Sequence, residues 1–162
     1  LRTAFDLDPQ SLDDEERRFL DVIGEHGWFD TAILDDEEGP GFSYTTGFWS
    51  GSGHPEILFI GLNQQTRHDV LWDIYRAIKS GCPPPVSRPT SEVFANAEAV
   101  LLPVSTDHYR EYLGWNRWFY NGDDFPCLQL IWSDREGRFP WSPDAQAGPQ
   151  PDLSTGNWGG LG

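Results

Sequence analysis

The apolar residues of this chain change their spacing again and again, and no apolar run grows long. Leu12, Phe19, Leu20 and Ile23 fall on one helical face. Directly after them, residues 28–34 and 41–48 carry the β-branched and aromatic character of strands, separated only by the acidic turn at 35–40. A linker that short predicts an antiparallel hairpin. Residues 57–60 form a short apolar run that reads as a central strand. A second helical stripe follows in Val70, Leu71, Ile74, Tyr75 and Ile78, opened by Thr66 with Asp69 and closed by Gly81. Cys82-Pro83-Pro84-Pro85 reads as a stiff polyproline connection. Residues 97–104 form a further strand, which Pro103 assigns to a sheet edge. Ser105 caps a third helix running to Tyr120, and residues 125–132 form the last strand. The order α-β-β-β-α-β-α-β predicts one α+β domain. Its four- or five-stranded antiparallel or mixed sheet carries about three helices, packed on one side.

Length supports a single domain: 162 residues give no second core. Hydrophobic residues make up only 38%, but 8 Trp, 10 Phe and 5 Tyr supply large rings from which a core can be built with few residues. Residues 1–10 read as an irregular arm. The domain proper spans 11–153, with its first helix capped at Ser11 and ending at Gly24 or Gly27. Residues 154–162 read as a Gly-rich mobile tail.

The net charge is −15. A chain this acidic repels phosphate backbones and anionic bilayers, so nucleic-acid and membrane-surface binding are disfavoured. No run of 18 apolar residues exists to span a bilayer. Residues 1–40 hold 13 of the 26 acids but 3 of the 11 basic residues, a local charge of −10. Two clusters create the bias: Asp13-Asp14-Glu15-Glu16 and Asp35-Asp36-Glu37-Glu38. The first fits a helix start, where acids face the positive end of the dipole, and the second fits a solvated turn. Both are also candidates for docking a basic protein. The first residue is not Met, which points to a trimmed N-terminus, and residues 1–10 show no signal-peptide pattern. Cys82 and Cys127 therefore read as reduced thiols in a cytoplasm.

Walker, GxGxxG, HExxH, CxxC and GxSxG patterns are all missing from the sequence. Two cysteines without a histidine at ligand spacing predict no structural metal, and no cofactor is expected. Chemistry, if present, falls to His26, His54, Glu56 and Asp134. His26 and His54 stand at element ends, where functional side chains often project. His54 and Glu56 would act as a base with its orienting carboxylate, or as two metal ligands, at the mouth of a cleft walled by Trp28 and Tyr44. The alternative is that His54 bonds locally and Glu56 is a strand-start charge. Glu56 shares a sheet face with Leu58 and Ile60, so it must be solvated or paired. Thr45 and Tyr44, in a strand bounded by Gly41 and Gly47, are candidate ligand contacts. The aromatic run 114–120 adds Trp118, and Gln129, flanked by apolar residues, must be buried with partners. His68 and His108 read as ordinary exposed helix-start residues.

Several motifs together resemble the bacterial DUF4262 domain family. They are His26-Gly27-Trp28, the block 40–47, His54-Pro55-Glu56 with Gly61-Leu62, the aromatic stretch 112–120, and Gln129-Leu130-Ile131-Trp132 with Asp134, Gly137 and Phe139-Pro140-Trp141. Gln150-Pro151-Asp152-Leu153 completes the resemblance, which covers residues 11–153. Ser133 departs from it, standing where the pattern has a Pro. The resemblance implies no established activity. Size, acidity and missing catalytic signatures favour a non-catalytic protein-binding module of immunity or inhibitor type. The alternative is a small-molecule or catalytic site in which His26, Tyr44, His54, Glu56 and Asp134 converge.

Overall fold

The computed structural model describes residues 2–146 and 148–155. Five strands form one sheet in the order β1-β2-β3-β5-β4: β1 Phe29–Ile33, β2 Phe42–Thr46, β3 Glu56–Ile60, β4 Ala99–Pro103 and β5 Cys127–Trp132. β1 and β2 form the expected hairpin, with Thr31 opposite Tyr44, and β2 pairs antiparallel with β3. β3 and β5 run parallel, and β4 runs antiparallel to β5, so the sheet is mixed. All five residues of β3 are buried, as a central strand requires. β4 lies at an edge, where Pro103 costs no ladder bond, and its outer side is covered by main-chain bonds to Ser87 and Thr90.

Among the described residues the α-helices are α1 Asp14–His26, α2 Phe48–Ser52, α3 Gln64–Lys79, α4 Tyr109–Tyr112 and α5 Gly114–Phe119. They cover both faces of the sheet, not one. α1, α4 and α5 pack with Tyr44, Leu58, Ile60 and Cys127. α3 and Phe48 pack with Ile57, Phe59, Leu101, Leu128 and Leu130 on the other face. The continuous apolar character of β3 is the cause: Leu58 and Ile60 face one layer, Ile57 and Phe59 the other, and each pair needs a cover. Phe139 and Trp141 stack at 4.8 Å beside Val100, Leu102 and Ile131 and complete the first face. Each large side chain so buried contributes about 1.5–3 kcal/mol.

Several boundaries differ from expectation for local reasons. Asp13, not Ser11, caps α1. Its carboxylate accepts the Glu16 amide at 2.8 Å and the Glu16 carboxylate accepts the Asp13 amide at 2.8 Å. The helix ends at Gly27, whose φ of 91° suits the left-handed cap. α3 begins a turn before Thr66, because Asn63 accepts the Thr66 amide at 2.8 Å. The expected arm is two 3-10 turns, and it buries Ala4 in the core. Between β2 and β3 the chain forms the short α2. The expected third helix breaks at Leu113, where ψ is 47°, next to Gly114, and Tyr44 accepts the freed amide of Trp115 at 3.0 Å. Ser154 bridges to Val104 and Thr155 bonds Pro103, so the expected mobile tail begins attached to the end of β4. Its residues 156–162 lie outside the described residues.

No helix among the described residues is long and apolar enough to cross a membrane. Cys82 is exposed, Cys127 is buried, and both are free.

Candidate functional site

The sheet has two very different ends. At the start of β3, Glu56 is fully buried. Its carboxylate accepts bonds from Thr45 Oγ1 at 2.7 Å and from the amides of Gly47 at 2.9 Å, Phe48 at 3.1 Å and Trp49 at 3.2 Å. The Tyr120 hydroxyl donates a fifth. Three of these donors are the first amides of α2, whose own cap residue, Gly47, offers no side chain, so Glu56 serves as the cap from across the sheet. Burial raises its pKa, opposed by the bonds from Tyr120, Thr45, Gly47 and Trp49. The shell contains only donors, which suits a carboxylate. Burial and the facing Glu56 also push the Tyr120 phenol far up.

Close approach at Gly47 closes this end. A Cβ there would stand 2.5 Å from the Gly27 carbonyl oxygen, and φ is 120°. The glycine admits the protein's own backbone, not a ligand. Gly41, at the other end of β2, does the same for Ile33 and Asp35.

The expected His54–Glu56 pair is not made. His54 Nδ1 donates to the Pro55 carbonyl at 2.8 Å, its ring meets Phe48 edge-on, and burial lowers its pKa. The expected walls also separate. Trp28 packs with Phe48, Trp72 and Tyr75 on one face of the sheet, and Tyr44 lies on the other. Thr31 faces Tyr44 in the hairpin, and period-two alternation sends Trp28 to the opposite side. His26 is exposed beside Glu25 and the edge of Trp72. Asp134 closes a turn: it accepts the amides of Glu136, Arg138 and Gln146 and the Arg138 guanidinium at 2.9–3.0 Å. Burial works to raise its pKa, but these bonds prevail and hold it at about 2. His26, Tyr44, His54, Glu56 and Asp134 therefore do not converge.

The other candidates are distributed likewise. Thr45 serves Glu56 and also accepts the Ile57 amide. Gln129 donates to Pro151 at 2.9 Å and accepts from Leu153 at 3.3 Å, fastening the C-terminal segment to β5. Trp118 packs edge-on to Phe19 and Trp115. Of the first acidic cluster, Asp13 and Glu16 form the capping box, Asp14 pairs with Arg17 at 3.3 Å, and Glu15 is exposed. Sequence reasoning missed His68, whose Nδ1 donates to the Asp30 carboxylate at 2.7 Å and whose ring stacks over Trp28, pinning α3 to β1. Among the described residues no group of three His, Cys, Asp or Glu is placed to hold a metal.

At the opposite end of the sheet lies a cleft of about 870 Å³, within the range of ligand sites. Phe42, Tyr44, Tyr112 and Trp115 line it with aromatic surface. Asp36, Glu38 and Glu111 line it with acids, and no basic residue does so among the described residues. Ile33 and Leu34, 41% and 70% exposed, stand on its margin. Thr31, one of its lining residues, is 92% buried; its hydroxyl oxygen is shielded from solvent and makes no well-formed hydrogen bond, though it lies close enough to the Tyr44 hydroxyl to act against the rise of that phenol's pKa. Burial raises the pKa of Tyr44, and burial with Glu111 raises that of Tyr112, so both stay neutral phenols. The second acidic cluster and Tyr44 thus meet in one place, joined by Thr31, Tyr112, Trp115 and Glu111. The signal for Tyr112 and Trp115 was the aromatic surplus in 112–120, and nothing marked Glu111. Nothing in the local sequence marked Thr31.

No curated protein and no solved structure matches the chain. The model of the family described as a domain of unknown function, DUF4262, matches residues 22–146, most of the chain. Those residues carry all five strands and all of the cleft's acids, and the chain belongs to the DUF4262 family.

Proposed function

We propose that the protein is a binding module whose cleft receives a cationic side chain, arginine or lysine, from a basic partner protein, as immunity and inhibitor proteins do. One observation carries this reading: aromatic walls and three acids line one cleft that no basic residue lines among the described residues. Aromatic faces attract cations, and acids neutralise them. The exposed Ile33 and Leu34 add apolar contact at the rim. The net charge of −15 steers a basic partner towards the molecule and disfavours self-association. The unpaired Cys82 and Cys127 support the expectation of a reducing, cytoplasmic compartment.

The test is a titration of N-acetyl-arginine amide, with N-acetyl-citrulline amide as its neutral isostere, followed through the Trp115 indole resonance. The arginine compound is expected to give a saturable shift and the citrulline compound none. Glu111→Gln should weaken the arginine compound about threefold, the scale of an exposed charge pair. Equal response to both compounds, or to neither, would overturn the reading.

A further inference from the structure

Resting on the cation-binding reading of the cleft, we propose that the partner lies across the protein as an extended basic segment, with a second, apolar anchor beyond Leu62. Asp36, Gly39, Pro40 and Pro149 line both the cleft and an adjoining groove of about 550 Å³. Leu62 and Trp132 in turn line both that groove and a third pocket of about 370 Å³. The three depressions therefore adjoin one another across shared walls, and they follow one another past the carboxyl ends of β1, β3 and β5. Such a track is longer than one side chain fills, and it suits a chain without regular structure.

Chemistry changes along the track. Acids stand at the cleft and along the groove, where Asp35 joins Asp36. The third pocket takes its apolar surface from Phe94, Trp132, Ala97 and Leu62, and its acids are met by a base, with Arg135 lining it beside Glu136 and with Asp134 bonded to Arg138. A segment matched to it carries its basic residue at one end and an apolar residue at the other.

The ridge between the pockets is held firmly. Leu62 has φ of 56°, a conformation that β-carbon sterics disfavour, yet its side chain is 43% exposed. Arg67, buried beneath it, donates to the carbonyls of Gly61 at 3.1 Å and Leu62 at 2.9 Å and to Ser43 at 2.8 Å. A buried guanidinium is thus spent on fixing an exposed leucine in a strained backbone, which makes the leucine a preformed contact.

The test uses dye-labelled peptides. One carries a single arginine in a glycine background. A series adds one leucine at two to six positions from the arginine, on either side. Anisotropy should show one member binding about tenfold tighter than the arginine-only peptide. Leu62→Asn should abolish that gain and leave the arginine-only affinity within about twofold. Asn tolerates positive φ better than Leu, so the fold should survive, and Phe94→Ala gives an independent removal of the second anchor. If the arginine-only peptide binds and no leucine position helps, the extended segment is wrong and the cleft reading stands. If no peptide binds, both fall.

Discussion

β3 joins two acidic regions that look alike in composition and differ in every physical respect. At its first residue, Glu56 is sealed from solvent with five donors converging on one carboxylate. At its last residue, Ile60 lines a cleft whose acids face solvent and whose buried hydroxyl has no partner. The first region is complete within the chain. The second leaves its acids facing solvent and one hydroxyl without a well-formed bond. Satisfaction of polar groups, not the count of acids, separates a structural carboxylate from a binding one.

The sharpest way to break this contrast is Glu56→Gln. The amide would keep the shape but turn its NH2 towards donors and remove the charge that caps α2. A buried donor left without an acceptor costs about 1–3 kcal/mol, and urea unfolding should show a loss of that size. A loss under about 1 kcal/mol would mean that the donors reorganise freely and that this end is not the anchor of the sheet.

Asp134 sharpens the contrast as a second satisfied acid, one that lines the third pocket and is bonded within its own turn. Its folded pKa of about 2 is below the unfolded value of about 3.9, so its contribution is present above pH ~4 and lost as pH falls through ~2. Glu56 has the opposite sign. Its folded pKa is raised, so its ionisation subtracts stability as pH rises through that value. The stability difference between wild type and Asp134→Asn should therefore be flat above about pH 4 and shrink between about 4 and 2. A difference that grows on acidification would contradict the hydrogen bonds that hold the carboxylate.

Much of the fold was legible because periodicity is local. The hairpin, the central position of β3, the edge position of β4 and the need of Gln129 for partners all follow from runs a few residues long. Glu56 was legible only by half. Burial demanded partners, but His54, two residues away along an extended chain, lies roughly 6.6 Å off at ~3.3 Å per residue. Its real partners come from the turn at Gly47 and from Tyr120, a reversal of the chain that no local pattern encodes. The cleft was hidden for the same reason. Thr31, Tyr112 and Glu38 are distant in sequence, and only the hairpin register and the break at Leu113 bring them together.

Thr31→Val is the mildest change and separates the two regions most cleanly. Valine matches threonine in shape and keeps the β-branched preference of a strand. Elsewhere the swap costs stability because a bonded hydroxyl is lost. Here the hydroxyl is buried without a partner, so folding already bears its desolvation, and replacing it with a methyl group removes that cost. Stability should stay level or rise by less than about 1 kcal/mol. Binding of N-acetyl-arginine amide should hold within about twofold in the same variant, because the hydroxyl is shielded from the cleft. Binding impaired by this one change would instead place Thr31 in the site. A drop in stability with unchanged binding would show that the hydroxyl is bonded within the fold, most directly to Tyr44.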